Sequence, residues 1–435
     1  MELPPPTPRL RVIQRSALAL LVFAGVVNYI DRGTLSIANP LIRKELGLSL
    51  GDMGLLLSAF LWAYAFSQLP AGGLVDRLGP RRLMAAGMAL WSLAQAAGGL
   101  AQGFTSLFVA RFALGIGESP MYPTCGRVVR DWFAVRHRGR ATGIFNCSST
   151  LGTAISAPLA TVLMIGLGWR AMFIVLGLAG LVVTVAWFAI YRDVGERELS
   201  PAEHAYREVE DATGVARKVT FGEWRLLFAS RTTWGMIMGF FGTVYLTWIY
   251  TAWLPNYLEM QRHMSIRNSG FAAAVPYLAG VIGALWGGWL VDWLMQRGVS
   301  AVNSRKYPMT ASLLGMAVCT VIAAYVPSNA AAIGFISVAL FLGYVSSSTA
   351  WAMASIAAPA NYTGSLGAIQ NFGGYIGGAL APTVTGFIVQ GTGSFVPALL
   401  VGAAVGVIGA IGYSAVILRP ITAADLGEVQ TAIAH

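Results

Sequence analysis

The sequence predicts an all-α membrane protein of twelve transmembrane helices in two six-helix bundles. Three observations carry this. Hydrophobic residues fill 56% of the 435 positions and charged residues 11%, with a mean hydropathy of +0.64, whereas a soluble domain carries roughly 25% charged residues. Twelve apolar stretches reach the roughly 20 residues that a helix needs to cross about 30 Å of hydrocarbon. The only long polar interruption, 191–231, divides them six and six.

The spans are expected at 17–38, 53–75, 83–101, 104–126, 141–165 and 169–190, then 232–258, 268–293, 308–326, 331–356, 364–389 and 394–418. The alternating ten-residue segments of a barrel are absent, so these are helices. The flanking pieces are a tail at 1–16, a linker at 191–231 with a helix starting at the Ser200-Pro201-Ala202-Glu203 capping signal, and a tail at 419–435. The first 16 residues are Pro- and Arg-rich, and the apolar run after them is long enough to stay as a helix, so no cleaved leader is expected.

The net charge of +10 raises nucleic-acid binding as an option, but its distribution points elsewhere. With a cytoplasmic N-terminus, inner segments hold 22 of the 29 Lys and Arg and outer loops hold 5. This positive-inside bias places both termini in the cytoplasm. The remaining two are Arg32 and Arg111. Cys125, Cys147 and Cys319 are scattered in apolar segments and suggest neither disulfides nor a metal cluster. No cofactor and no nucleic-acid partner are expected, and the protein is expected to be a monomer in the bilayer.

The halves carry traces of a repeat. Gly72-x-x-x-Asp76 after the second span recurs as Gly288-x-x-x-Asp292 after the eighth, and Gly143 and Pro158 of the fifth recur as Gly367 and Pro382 of the eleventh. Matches at the same ordinal positions argue for a duplicated six-helix unit. Parallel halves with a substrate site between them near mid-membrane characterise one transporter class.

Asp31 and Glu118 are the only acidic residues well inside the apolar runs, and each lies near an arginine, Arg32 and Arg111. Ionised side chains in hydrocarbon are costly and mark an ion, proton or substrate path, which points to transport. Arg111 and Glu118 are seven apart and share a helix face. Asp31 and Arg32 are about 100° apart and can serve different partners. A permanently charged arginine offers a fork to a carboxylate, while an acid in a low-dielectric cavity can take up a proton near neutrality. With both acids ionised the four groups sum to zero and can pair with each other. Protonating Asp31 or Glu118 frees an arginine, so proton and anion help each other bind. The alternative is an ion-pair network that only holds the first span against the fourth, although such networks seldom improve on apolar packing.

The stretch Gly72-Gly73-Leu74-Val75-Asp76-Arg77-Leu78-Gly79-Pro80-Arg81-Arg82 resembles the signature loop of the major facilitator superfamily. Asn28-Tyr29-Ile30-Asp31-Arg32 and Arg111-x6-Glu118-Ser119-Pro120-x2-Pro123 resemble its anion:cation symporter branch, which includes bacterial sugar-acid and aromatic-acid permeases and relatives of sialin and the vesicular glutamate transporters. The resemblance implies proton-coupled uptake of a small organic anion by alternating access. It implies Asp31 and Glu118 for proton coupling, Arg32 and Arg111 for the anion, and Tyr29, Tyr64, Ser348, Trp351 and Asn371 for its uncharged body. Asp76, Arg77, Arg81 and Arg82 are implied in gating.

Other polar or aromatic candidates in the second half are Tyr245, Trp248, Ser347 and Thr349, and any single aromatic here can equally be a lipid-interface residue. From the fifth span Asn146, Ser148, Ser149 and Thr150 are all open as pocket residues. The glycines Gly115, Gly117, Gly373, Gly374, Gly377 and Gly378 read as packing and hinge positions. Pocket polarity through Asn371 and Ser348 leans to an aldonate or other hydroxy acid as the expected cargo, with an aromatic acid or dicarboxylate left open as alternatives. A drug exporter on the same scaffold would favour a cationic or neutral ligand, which two buried arginines disfavour. A transport-dead sensor would need an output domain, for which about 40 linker residues are too few. No nucleophile–base pair or metal spacing suggests an enzyme.

Overall fold

The computed structural model describes residues 6–197, 199–208, 221–359, 362–422 and 424–426, and no strand occurs among them. Among the described residues, ten helical stretches are long and apolar enough to cross a membrane. The chain divides into two compact units, Met1–Val215 and Ala216–His435.

The first unit holds α1 (Pro8–Leu46), α2 (Leu50–Gly98), α3 (Phe104–Glu118), α4 (Met121–Trp132), α5 (Val135–Leu167), α6 (Trp169–Ile190) and α7 (Pro201–Glu208). Local signals set its ends. Thr7 caps α1 with Pro8 in the first turn, and Gly47 closes it in the left-handed conformation (φ 64°) that glycine adopts without penalty. Ser49 and Asp52 cap the start of α2 reciprocally. At the foot of α7, Ser200 N donates to Glu203 Oε2 at 2.9 Å and Glu203 N donates back to Ser200 Oγ, the capping box expected from the sequence.

Ten stretches rather than twelve reflect two local breaks. The second and third expected spans lie together in α2, where the single residue Gly79 (φ 78°, ψ 155°) leaves the helical conformation ahead of Pro80. The turn between them is thus one residue rather than a loop. The fourth expected span is divided into α3 and α4 at Ser119-Pro120, because proline cannot donate the next helical bond, and each piece is short.

The second unit holds α8 (Phe221–Ala229), α9 (Arg231–Asn256), α10 (Ile266–Ala272), α11 (Ala274–Gln296), α12 (Asn303–Tyr325), α13 (Asn329–Ala354), α14 (Thr363–Thr392) and α15 (Val396–Ile411), with π turns extending α9 to Gln261 and α15 to Val416. The repeat traced in the sequence appears as a repeat of packing partners. In the first unit α1 packs on α5 and α6, and α2 on α3 and α6; in the second, α9 packs on α14 and α15, α11 on α13, and α12 on α15. Close helix approach has a visible cause at Gly117, where a Cβ would fall 2.6 Å from the Trp91 backbone nitrogen.

Candidate functional site: a buried charge cluster on α1 and α3

All four ionisable residues singled out in the apolar spans lie inside the first unit. Asp31 and Glu118 are fully buried, Arg111 is 3% exposed and Arg32 7%. They are not equivalently paired. Arg32 Nε donates to Glu118 Oε2 at 2.8 Å, a buried ion pair joining α1 to α3. Asp31, one residue earlier, points elsewhere on the helix, and neither of its carboxylate oxygens has a hydrogen-bond partner among the described residues. Arg111 makes no ion pair there, and its Nε and Nη1 have no hydrogen-bond partner. Glu118 Oε1 likewise has none. Of the pairings open to the four groups, Arg32–Glu118 is the one formed among the described residues, and Asp31 and Arg111 stand outside it.

Aromatic rings hold the two guanidinium groups. The Arg32 guanidinium carbon lies 4.5 Å from the centre of the Tyr29 ring, 4.9 Å from Tyr64 and 5.1 Å from Phe60. Arg111 approaches the same Phe60 ring at 5.3 Å. Phe60 and Tyr64 are four apart on α2 and so face the same way, with ring centres 5.9 Å apart. Cation–π attraction is stronger where water is excluded, reaching about 2 kcal/mol per contact. On the other side, the Tyr29 and Tyr122 hydroxyls are 2.8 Å apart, and Tyr122 meets Phe145 edge to face. Phe60, Tyr122 and the fully buried Asn28 complete the cluster without having been candidates. Asn28 and Tyr122 stood within the quoted motifs, while only its spacing from Tyr64 marked Phe60.

In the second unit, Ser348 donates its hydroxyl to the Val345 carbonyl at 3.1 Å and packs towards Gly287 of α11. Trp351 is 46% exposed with its ring edge on Phe240. Asn371 is half-buried, and its neighbour Gln370 is 1% exposed with neither amide atom hydrogen-bonded among the described residues. Of the open candidates on α5, Ser148 is buried while Asn146 is exposed.

The signature residues split as well. Asp76 accepts from Arg127 Nη1 at 2.7 Å, and Arg127 also binds Asp131. Arg81 pairs with Glu196 at 3.0 Å, covers the Phe188 ring and donates its backbone N–H to Asp193. Arg77 and Arg82 are exposed and form no ion pair among the described residues.

The sequence matches the Major Facilitator Superfamily profile over residues 21–382. It is 41% identical to the Probable L-galactonate transporter of Escherichia coli strain K12 over 413 residues, 95% of this chain and 91% of that one. It is 33% identical to the D-galactonate transporter of Escherichia coli O6:H1 over 91% and 94% of the two chains, and 30% identical to the hexuronate transporter of Bacillus subtilis over 94% and 96%. The fold is similar to that of a bacterial homolog of the human lysosomal transporter Spinster, with a TM-score of 0.75 at 19% identity over 93% and 95%. A D-xylose-proton symporter superposes with a TM-score of 0.73 at 11% identity over 94% and 98%. This chain belongs to the Major Facilitator Superfamily and is a multi-pass protein of the bacterial inner membrane.

Proposed function

We propose that the protein is a proton-coupled symporter that imports a small hydroxy carboxylate, an aldonate, by alternating access. The observation that carries this is the uneven pairing in the buried cluster: Arg32 is tied to Glu118 at 2.8 Å while Arg111 and Asp31 stand without ion pairs among the described residues. A buried arginine with unsatisfied donors offers an anion a fork. Protonating Glu118 removes the charge that holds Arg32 and supplies a second cation. A carboxylate buried without hydrogen bonds is costly as an anion, so Asp31 is the second proton carrier. The sugar-acid names of the relatives support the cargo class.

In this reading the chain crosses the membrane twelve times with both termini cytoplasmic and acts as a monomer. Residues 17–190 and 232–418 form the bundles, 191–231 the linker and 1–16 and 419–435 the tails. Tyr29, Tyr64, Ser348, Trp351 and Asn371 contact the cargo's uncharged body, with Ser348 having to leave the Val345 carbonyl to do so. Asp76, Arg77, Arg81 and Arg82 gate the cycle. One proton per monoanion is electroneutral. A second proton makes transport electrogenic, gaining about 2.3 kcal/mol per 100 mV.

A sugar dicarboxylate is the second reading, favoured by the presence of two buried arginines and by 34% identity to the Probable galactarate/D-glucarate transporter of Escherichia coli strain K12 over 88% of each chain. Proteoliposome counterflow with labelled aldonates, aldarates, aromatic acids and lipophilic cations separates these readings. Selective exchange of aldonates sustains the first; preference for lipophilic cations would replace it with an exporter.

A further inference from the structure

We infer that Asp31 exchanges its proton through the interior of the first unit, by way of water held between Thr34 of α1 and Ser92 and Gln95 of α2, and not from the side that carries Arg32. This rests on the reading that Asp31 takes part in proton coupling. Thr34, one turn beyond Asp31, is fully buried; its hydroxyl donates to the Asp31 carbonyl at 2.8 Å and accepts from Gln95 Nε2 at 3.1 Å. Gln95 is 2% exposed and Ser92 fully buried, yet Gln95 Oε1 and Ser92 Oγ have no hydrogen-bond partner among the described residues. They lie three residues apart and so share a face of α2. Both carboxylate oxygens of Asp31 are in the same condition.

Buried polar atoms of this kind are normally satisfied by water, which makes about three hydrogen bonds in such places. On α1, Thr34 is set about 60° from Asp31 on one side and Arg32 about 100° on the other. The acid therefore stands between two polar surfaces. The charged groups that reach it belong to the other surface, Glu118 and Arg111 of α3.

Gln95 is three residues from Gly98, the last residue of α2, so about 4.5 Å of helix separates it from the helix end. On the proposed topology that end is the outer one. In each import cycle the outermost water takes a proton from the outer solution, each water in the row passes one of its own inward, and an O–H bond forms on the Asp31 carboxylate as an O–H bond of the adjacent water breaks. Proton and anion would thus reach the cluster from different sides of α1.

The test uses the full-length protein in proteoliposomes with a labelled aldonate. Wild type and Asp31→Asn come first: accumulation driven by a pH gradient in wild type and its loss in Asp31→Asn test the underlying reading alone. Thr34→Val and Gln95→Met then keep side-chain volume while removing polarity. The expected result is a pH-driven initial rate lowered by about tenfold or more, with counterflow at equal pH unchanged because exchange of the loaded carrier requires no net proton uptake or release, and with Thr34→Ser restoring the rate. Ser92→Ala, which deletes one oxygen from the same wall, serves where a larger change impairs folding. Wild-type pH-driven rates in these variants, or equal losses in both assays, would overturn the inference.

Discussion

Arg32 Nε and Glu118 Oε2 meet at 2.8 Å with both side chains almost wholly buried, so the cation of α1 that we propose binds the anion is held by the acid of α3. Removing one member of a buried pair leaves the other uncompensated at a cost of about 3–5 kcal/mol. Neutralising Glu118 while keeping its shape turns that unmet charge into attraction for cargo. Glu118→Gln should retain aldonate counterflow and lose pH-driven accumulation. Accumulation at the wild-type level would remove Glu118 from coupling.

Arg111 is the complementary case, a cation with Nε and Nη1 unsatisfied among the described residues. Lysine keeps the charge but loses the planar fork. Arg111→Lys should therefore weaken cargo binding by about 1–2 kcal/mol, roughly 5- to 30-fold, read as a raised KM for uptake. An unchanged KM would show that Arg111 does not hold the carboxylate.

Phe60 lies within 5.1 Å of one guanidinium carbon and 5.3 Å of the other, so a single ring supports both cations. Phe60→Leu keeps an apolar side chain and removes the π face. At about 0.5–2 kcal/mol per contact, cargo affinity should fall several-fold while the protein stays folded. Isothermal titration in detergent checks this, and wild-type affinity would reduce Phe60 to packing.

The charged members of this cluster were legible because an Asp, a Glu and two Arg inside apolar runs stand out against lipid-compatible sequence, and a seven-residue spacing puts Arg111 and Glu118 on one face. Which acid holds which base was not. That depends on side-chain rotamers and on how α1 sits against α3, and sequence spacing left Arg32 and Arg111 equally suited to Glu118. Phe60 escaped notice for a different reason: a phenylalanine in a transmembrane span reads as core or lipid contact. The break at Gly79 was expected as a loop from the resemblance of 72–82 to the superfamily's signature, although one residue of positive φ suffices to make it.

The Asp76–Arg127 pair, 2.7 Å long, is 62% exposed on the aspartate side, and exposed pairs contribute only about 0–1 kcal/mol. Arg127 keeps Asp131 as a second partner. Asp76→Asn should accordingly leave the melting temperature and cargo affinity near wild type while changing the turnover rate, as expected of a contact remade in each cycle. A large loss of thermal stability with unchanged turnover would make the pair structural.

Glu203 ties the linker helix α7 to the start of α1, accepting from Thr7 Oγ1 at 2.8 Å and from the Ser200 backbone N–H at 2.9 Å. These bonds, that of Ser200 foremost, hold its carboxyl below the usual carboxylate range. A carboxylate whose folded value is depressed adds stability that is fully present above its unfolded value and lost as pH falls through the folded one. The α7 contact should therefore be intact at neutral pH and loosen only in acid, below the ordinary glutamate range. Hydrogen exchange over 200–208 read from neutral pH downward, after correction for the intrinsic rate, should show protection lost in that acid window, and Glu203→Gln should show reduced protection already at neutral pH. Protection in Glu203→Gln equal to wild type at neutral pH would assign the docking of α7 to its other contact, between Tyr206 and His137.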